Sequence, residues 1–145
     1  MTDLYTRIRI PAVLKKQHDV VKPKTYKGFS TVSTKTEHYS LYDFELIKQD
    51  ILNHFHVRQG ERVMLPRFGT IIWDLLFEPL TEDIKGMIKQ DVEAIINYDP
   101  RVQVSDTNIS TYESGISIVF SLTYTPYNLT EQISLRFDQT NGLIA

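Results

Sequence analysis

The chain has 145 residues, 41% hydrophobic and 23% charged, a balance ordinary for a soluble globular protein with a single core. It contains no cysteine, which excludes a disulfide framework, a thiol nucleophile and thiolate zinc sites, and no apolar run of about 18 residues that could span a bilayer as a helix. The net charge of −2 conceals an asymmetry: residues 1–36 carry eight lysines and arginines against two aspartates, and the remainder carries eight against sixteen.

Residues 1–39 show no sustained period and are interrupted by Pro11, Pro23 and Gly28, which predicts an extended basic arm with one short strand. The start, "MTDLYTRIRIPAVLKK", has basic residues on both sides of a short apolar piece and lacks the order of a secretory signal. With no cysteine this fits a reducing cytosol, and Asn108-Ile109-Ser110 and Asn128-Leu129-Thr130 read as chance glycosylation matches. A basic arm on an acidic body can fold back on that body, grip an acidic neighbour or touch nucleic acid. Tyr5, Tyr26 and Phe29 are interleaved with the cations, as in nucleic-acid binders, but the charges are scattered. Docking on protein is the favoured reading.

The compact part is predicted over 40–145. "YDFELIKQDILNHFHV" places Phe44, Ile47, Ile51, Leu52 and Phe55 on one helical face, with Ser40 or Asp43 as cap, Gly60 as terminator and Arg58 at the negative end. The stretch "GERVMLPRFGTIIWDLLFEP", residues 60–79, follows. Pro66 keeps Leu65 out of helical angles, Gly69 allows a turn, and "TIIWDLLF" predicts a short helix capped by Thr70 and stopped by Pro79. The whole stretch is expected to be a core-packed connector, with Glu61 and Arg62 pairing within the domain or with a neighbour. The second long helix, "TEDIKGMIKQDVEAIINYD", has Thr81 as cap and Ile84, Met87, Ile88, Val92, Ile95 and Ile96 along one face. From Pro100 the period becomes two. Ile116, Ile118, Phe120, Leu122 and Tyr124 share one side, as do Ile133, Leu135 and Phe137, which predicts about three antiparallel strands in a meander. The fold class is therefore α+β: two main helices and a short linking helix on a small, mainly antiparallel sheet, with the extended arm in front.

Chemical motifs are sparse. Glu61, Asp74, Glu78 and Asp99 lie near apolar segments, but no pair of carboxylates spanning a cleft is visible in the sequence, and acids beside arginines tend to have lowered pKa values, wrong for a general acid. His54 and His56 are two apart, whereas helical metal ligands prefer three or four, so they read as polar residues at a fraying helix end. No nucleophile elbow and no phosphate loop is present. No catalytic, cofactor or metal residue is assigned. Asp99-Pro100-Arg101 sits where the second helix gives way to the first strand, so a rigid proline presents an acid and a base from one corner. A local salt bridge at the helix end and a partner contact both suit it.

Residues Tyr39 to Val102 resemble the baseplate wedge protein of contractile-tailed phages, the small subunit also called the sheath initiator and long labelled lysozyme-like, which has a relative in type six secretion baseplates. The resemblance rests on Gly60-Glu61-Arg62, Pro66-x-Phe68-Gly69, Leu76-Phe77-Glu78-Pro79 and Asp99-Pro100-Arg101. The arm piece "YKGFSTV" is similar to the T-even-like branch. Arg67 stands where the family often has Glu, and Asp99 where it often has the longer acid. The resemblance implies a structural, non-enzymatic subunit of the virion tail baseplate, assembled in the host cytoplasm, with no membrane or cofactor. Asp99, Pro100, Arg101, Glu61 and Arg62 would be its partner-binding residues. Expected partners are the core bundle of larger wedge subunits, the tail sheath protein, whose first ring it would template by strand addition, and tail tube or hub proteins. The competing implication is a peptidoglycan-degrading tail hydrolase.

Overall fold

A computed structural model describes residues 24–30 and 40–145, so the rest of the predicted arm lies outside the described residues. Strand β1 (Lys27–Phe29) pairs antiparallel with β2 (Ser40–Tyr42), which runs directly into helix α1 (Asp43–His56). A short helix α2 (Ile72–Leu75) and the long helix α3 (Glu82–Asn97) follow. The chain then forms a meander of β3 (Val102–Tyr112), β4 (Gly115–Tyr124), β5 (Leu129–Asp138) and β6 (Gly142–Ile144), antiparallel and in sheet order β3-β4-β5-β6. The α+β class is as expected. The short strand expected within residues 1–39 is β1, and β2 and β6 are additions to the predicted elements.

The two-residue period of β4 decides which side is the core. Ile116, Ile118, Phe120, Leu122 and Tyr124 are buried, while Ser117, Val119, Ser121 and Thr123 face the other way, half-buried. Against the buried face lie Ile47, Ile51 and Phe55 of α1 and Ile88, Val92, Ile95 and Ile96 of α3, which recur at helical spacing. Phe55 is the hinge of this packing: its ring lies 6.3 Å from Phe120 and 6.0 Å, edge-on, from Phe137. Burying a side chain of this size contributes about 1.5–3 kcal/mol.

Several local expectations are corrected. Helix α1 has no side-chain cap: Tyr42 is the cap residue, and the Asp43 carboxylate instead accepts from Thr25 N at 3.1 Å and Tyr26 N at 2.9 Å, tying the chain before β1 to the helix start. The helix ends at His56 in an extended Val57, not at Gly60. Arg58 pairs with Asp74. On α3 the Thr81 hydroxyl does accept from Ile84 N, at 3.4 Å, but Met87 is exposed.

Candidate functional site

Helix α3 ends at Asn97 with Tyr98 as its cap residue, and Pro100, which has no amide hydrogen to donate, keeps it from running on. The Asp99 amide still donates to Ile96 O, and Val102 N returns to Asp99 O, so the corner is tied at both ends. This places Asp99 and Arg101 side by side. Oδ1 of Asp99 accepts from the Arg101 backbone amide at 3.0 Å and from Nε at 2.9 Å, and Oδ2 accepts from Nη2 at 2.5 Å. Arg101 holds the Asp99 carboxyl below its ordinary range, and Asp99 raises the Arg101 guanidinium in turn. The local salt bridge and the corner geometry are thus one feature. The guanidinium also lies over the Tyr26 ring, 4.5 Å from its centroid, so a residue of the predicted arm closes this side.

The corner is one rim of a groove of about 730 Å³ between α1, the end of α3 and the loop following α1. Ile51 and Ile95 form its floor, and the wall across from the corner is an aromatic stack. His54 lies flat on Phe68, with centroids 3.9 Å apart and planes 14° from parallel, and Tyr98 meets its edge at 6.0 Å. Arg62 covers the Phe68 ring at 3.9 Å. Burial, reinforced by the Arg62 charge, pushes the His54 imidazole down, so it is neutral at pH 7. The fraying-end reading of His54 is therefore wrong: the ring is buried. His56, two residues on, points elsewhere, its Nδ1 2.8 Å from Leu52 O. Asp50 also lines the groove, and its carboxyl is raised by burial, with Arg101 opposing and Asp99 adding to the rise.

Four of the five predicted residues, Asp99, Pro100, Arg101 and Arg62, meet at this groove; Glu61 does not. Its carboxylate accepts from Arg58 N at 3.0 Å and faces a separate depression with His56, Trp73 and Phe77. Glu61 and Arg62 form no pair with each other. Sequence reasoning missed Tyr26, Asp50, His54, Phe68 and Tyr98. Asp50 and His54 are one turn apart on α1, and that spacing was the available signal.

The loop bearing Arg62 and Phe68 is closed at its base. Thr70 N donates to Val57 O at 2.9 Å and Gln59 N to Thr70 O at 3.1 Å. Gly69 has φ +111°, and a Cβ there would lie 2.6 Å from Val57 O, so glycine is required. From α3, Asp91 accepts from the buried Thr70 hydroxyl at 2.5 Å and from Ile71 N at 3.2 Å; its carboxyl is raised by burial despite these bonds. Thr70 Oγ1 in turn accepts from Ile72 N at 3.1 Å, but the cap position of α2 falls at Ile71, which makes no side-chain cap bond, and not at Thr70 as the sequence predicts. The core-packed connector is realised only in its second half. Ile72 and Leu76 are buried, but Val63 and Met64 are 91% and 94% exposed and Phe77 is 74% exposed.

At the other end of the sheet, β6 covers only Arg136–Asp138 of β5. Among the described residues, the outer edge of Leu129–Leu135 is unpaired and borders a groove of about 370 Å³ against Leu41, Lys48 and Leu52. Lys48 bridges α1 to this edge through Glu131 at 2.8 Å. The opposite edge, β3, is broken by a bulge between Ser105 and Asn108, with Asp106 at φ +51°. Among the described residues no three His, Asp or Glu side chains converge as a metal site.

The family model described as Baseplate wedge protein gp25 matches residues 43–140. The chain is 31% identical to the Baseplate wedge protein gp25 of Enterobacteria phage T4 over 100 residues, 66% of this chain and 75% of that protein. It also resembles the crystal structure of a candidate tail lysozyme from Geobacter sulfurreducens. The TM-score is 0.51 and the identity 26%, covering 63% of this chain and 89% of that one.

Proposed function

The chain belongs to the baseplate wedge protein gp25 family, and we propose that it is a structural subunit of a phage tail baseplate whose aromatic groove docks the helical core bundle of larger wedge subunits. The observation that carries this reading is the convergence of Asp99-Pro100-Arg101 with Arg62, Phe68, His54 and Tyr98 around one open groove. An apolar floor with aromatic walls and a charged rim is what an amphipathic helix requires. Tyr98, 72% exposed, and the stacked Arg62 are the side chains such a helix would cover. Aromatic residues and arginine commonly dominate interface energies. Glu61 acts from behind the loop, holding Arg58 N.

The sheath is received at a different place. An incoming strand would continue the line of β6 along Leu129–Leu135, satisfying that edge and filling the slot beneath α1. The β3 edge is the poorer template because its bulge interrupts the ladder. Residues 1–39 are a docking arm and 40–145 the wedge domain, with Tyr26 linking the two at the Arg101 corner.

The test is co-expression with the larger wedge subunits of the same tail, followed by size-exclusion chromatography. Co-elution of the wild type is expected, and elution alone would contradict the reading. A hydrolase is the second reading, favoured by one observation: Asp50 and Asp99 line the same groove with pKa values pushed apart. Against it, Arg101 occupies both oxygens of Asp99. A turbidity assay on purified cell walls decides: clearing that disappears with Asp50→Asn would replace the structural reading.

A further inference from the structure

The most conspicuous exposed apolar group lies outside both grooves, at the apex of the loop 60–69. Val63 and Met64 are almost fully exposed, and Leu65 is half so. The apex is held in place: Gly60 N donates to Pro66 O at 2.9 Å, Leu65 N to Arg62 O at 3.2 Å and Phe68 N to Leu65 O at 3.0 Å. It is flanked by Arg62, fixed on Phe68, and by exposed Arg67. Among the described residues neither arginine has a carboxylate within ion-pair distance. The loop is therefore an ordered apolar tip between two uncompensated cations.

We propose that this loop is a preformed plug for an apolar pocket rimmed by carboxylates on another protein chain. Three observations select that occupant. Two unpaired guanidiniums call for anions, and Arg62 is already oriented, which favours paired carboxylates over diffuse charge. A loop ordered before binding loses little conformational entropy on docking. Phe68 and Arg62 belong both to the loop and to the wall of the aromatic groove, so the plug extends that docking surface. The inference rests on the reading of this chain as an assembly subunit and adds a second, charge-selective contact to it.

Methionine oxidation provides the test, because Met64 reacts in proportion to its exposure and Met87, 48% exposed, is an internal reference. The free chain and intact tail particles carrying it are treated with hydrogen peroxide, and sulfoxide is quantified at both positions by peptide mass spectrometry. Relative to Met87, Met64 oxidation is expected to slow by about tenfold or more in the particle, consistent with burial of the thioether. Equal rates would overturn the plug while leaving the assembly reading intact; absence of the chain from particles would overturn the assembly reading itself. Arg67→Glu should lower incorporation into particles about tenfold, from like-charge contact with the rim, and Arg67→Lys should preserve it. Full incorporation of Arg67→Glu would refute the acidic rim. Binding of the free chain to phosphatidylglycerol vesicles that is lost in Met64→Ser would identify a lipid-inserting tip instead. A concentration-dependent dimer abolished by Met64→Ser would identify a second copy, and either result overturns the proposal.

Discussion

Replacing Asp99 and Arg101, singly and together, separates the internal work of the corner from its work at the interface. Asp99→Ala removes the carboxylate that accepts from Nε, Nη2 and the Arg101 amide. The stranded guanidinium still has Tyr26 beneath it and the Asp50 carboxylate in its field. Because the pair is only partly buried, the cost is expected to be about 1–2 kcal/mol, at the lower end for charged hydrogen bonds. Arg101→Ala should cost more, about 2–3 kcal/mol, since it loses the cation–π contact and removes the Arg101 charge that opposes those of Asp50 and Asp99 in the groove. The double variant should fall short of the sum by about 1 kcal/mol, because neither charge is then stranded. Urea unfolding at pH 7, followed by circular dichroism, measures all three. Additive costs, or a costlier Asp99→Ala, would refute the electrostatic reasoning. The pH dependence has a fixed sign. Asp99 is held below its ordinary value of 3.8, so its contribution is present above that pH and is lost as pH falls below it. The folded double variant should nevertheless fail to co-elute with the larger wedge subunits; full co-elution would remove the corner from the interface.

Gly69→Ala should destabilise the chain by about 1–3 kcal/mol and loosen the loop, since its φ is left-handed and a Cβ would press on Val57 O; thermal unfolding and proteolysis at 60–69 check this. Asp138 is held at about 2 by Ser114 Oγ and the amides of Asn141 and Thr140, so its contribution exists above pH 3.8 and is lost as pH falls through 2. Asp138→Asn should therefore flatten stability between those values in an acid titration. Phe120→Ala, at a fully buried ring against Phe55, should cost about 3–5 kcal/mol by chemical denaturation.

What the sequence made legible is what periodicity controls. The helical spacing of Ile47, Ile51 and Phe55, and the alternation from Ile116 to Tyr124, arise because those faces bury against each other. Both α3 signals, the Thr81 cap and the Pro100 stop, are local chemistry and were readable as such. The exposure of Val63, Met64 and Phe77 was not, because an apolar run does not reveal whether the surrounding chain covers it. Asp43 and His54 were misread for a related reason. A capping residue and a frayed-end histidine are local roles, and both side chains are claimed by segments remote in sequence, Thr25–Tyr26 and Phe68–Tyr98. Strands of three residues, such as β2 and β6, show too little alternation to stand out. Among the predicted site residues, Asp99 and Arg101 were found together because Pro100 fixes them in sequence. The rest of the groove is assembled by tertiary packing.

A reconstruction of the assembled baseplate at side-chain resolution tests the central claim most directly. The account predicts a helix of another chain seated between Arg101 and the His54–Phe68 stack, in contact with Tyr98. A groove left open to solvent in the assembled particle, with this chain held through other surfaces, would contradict it.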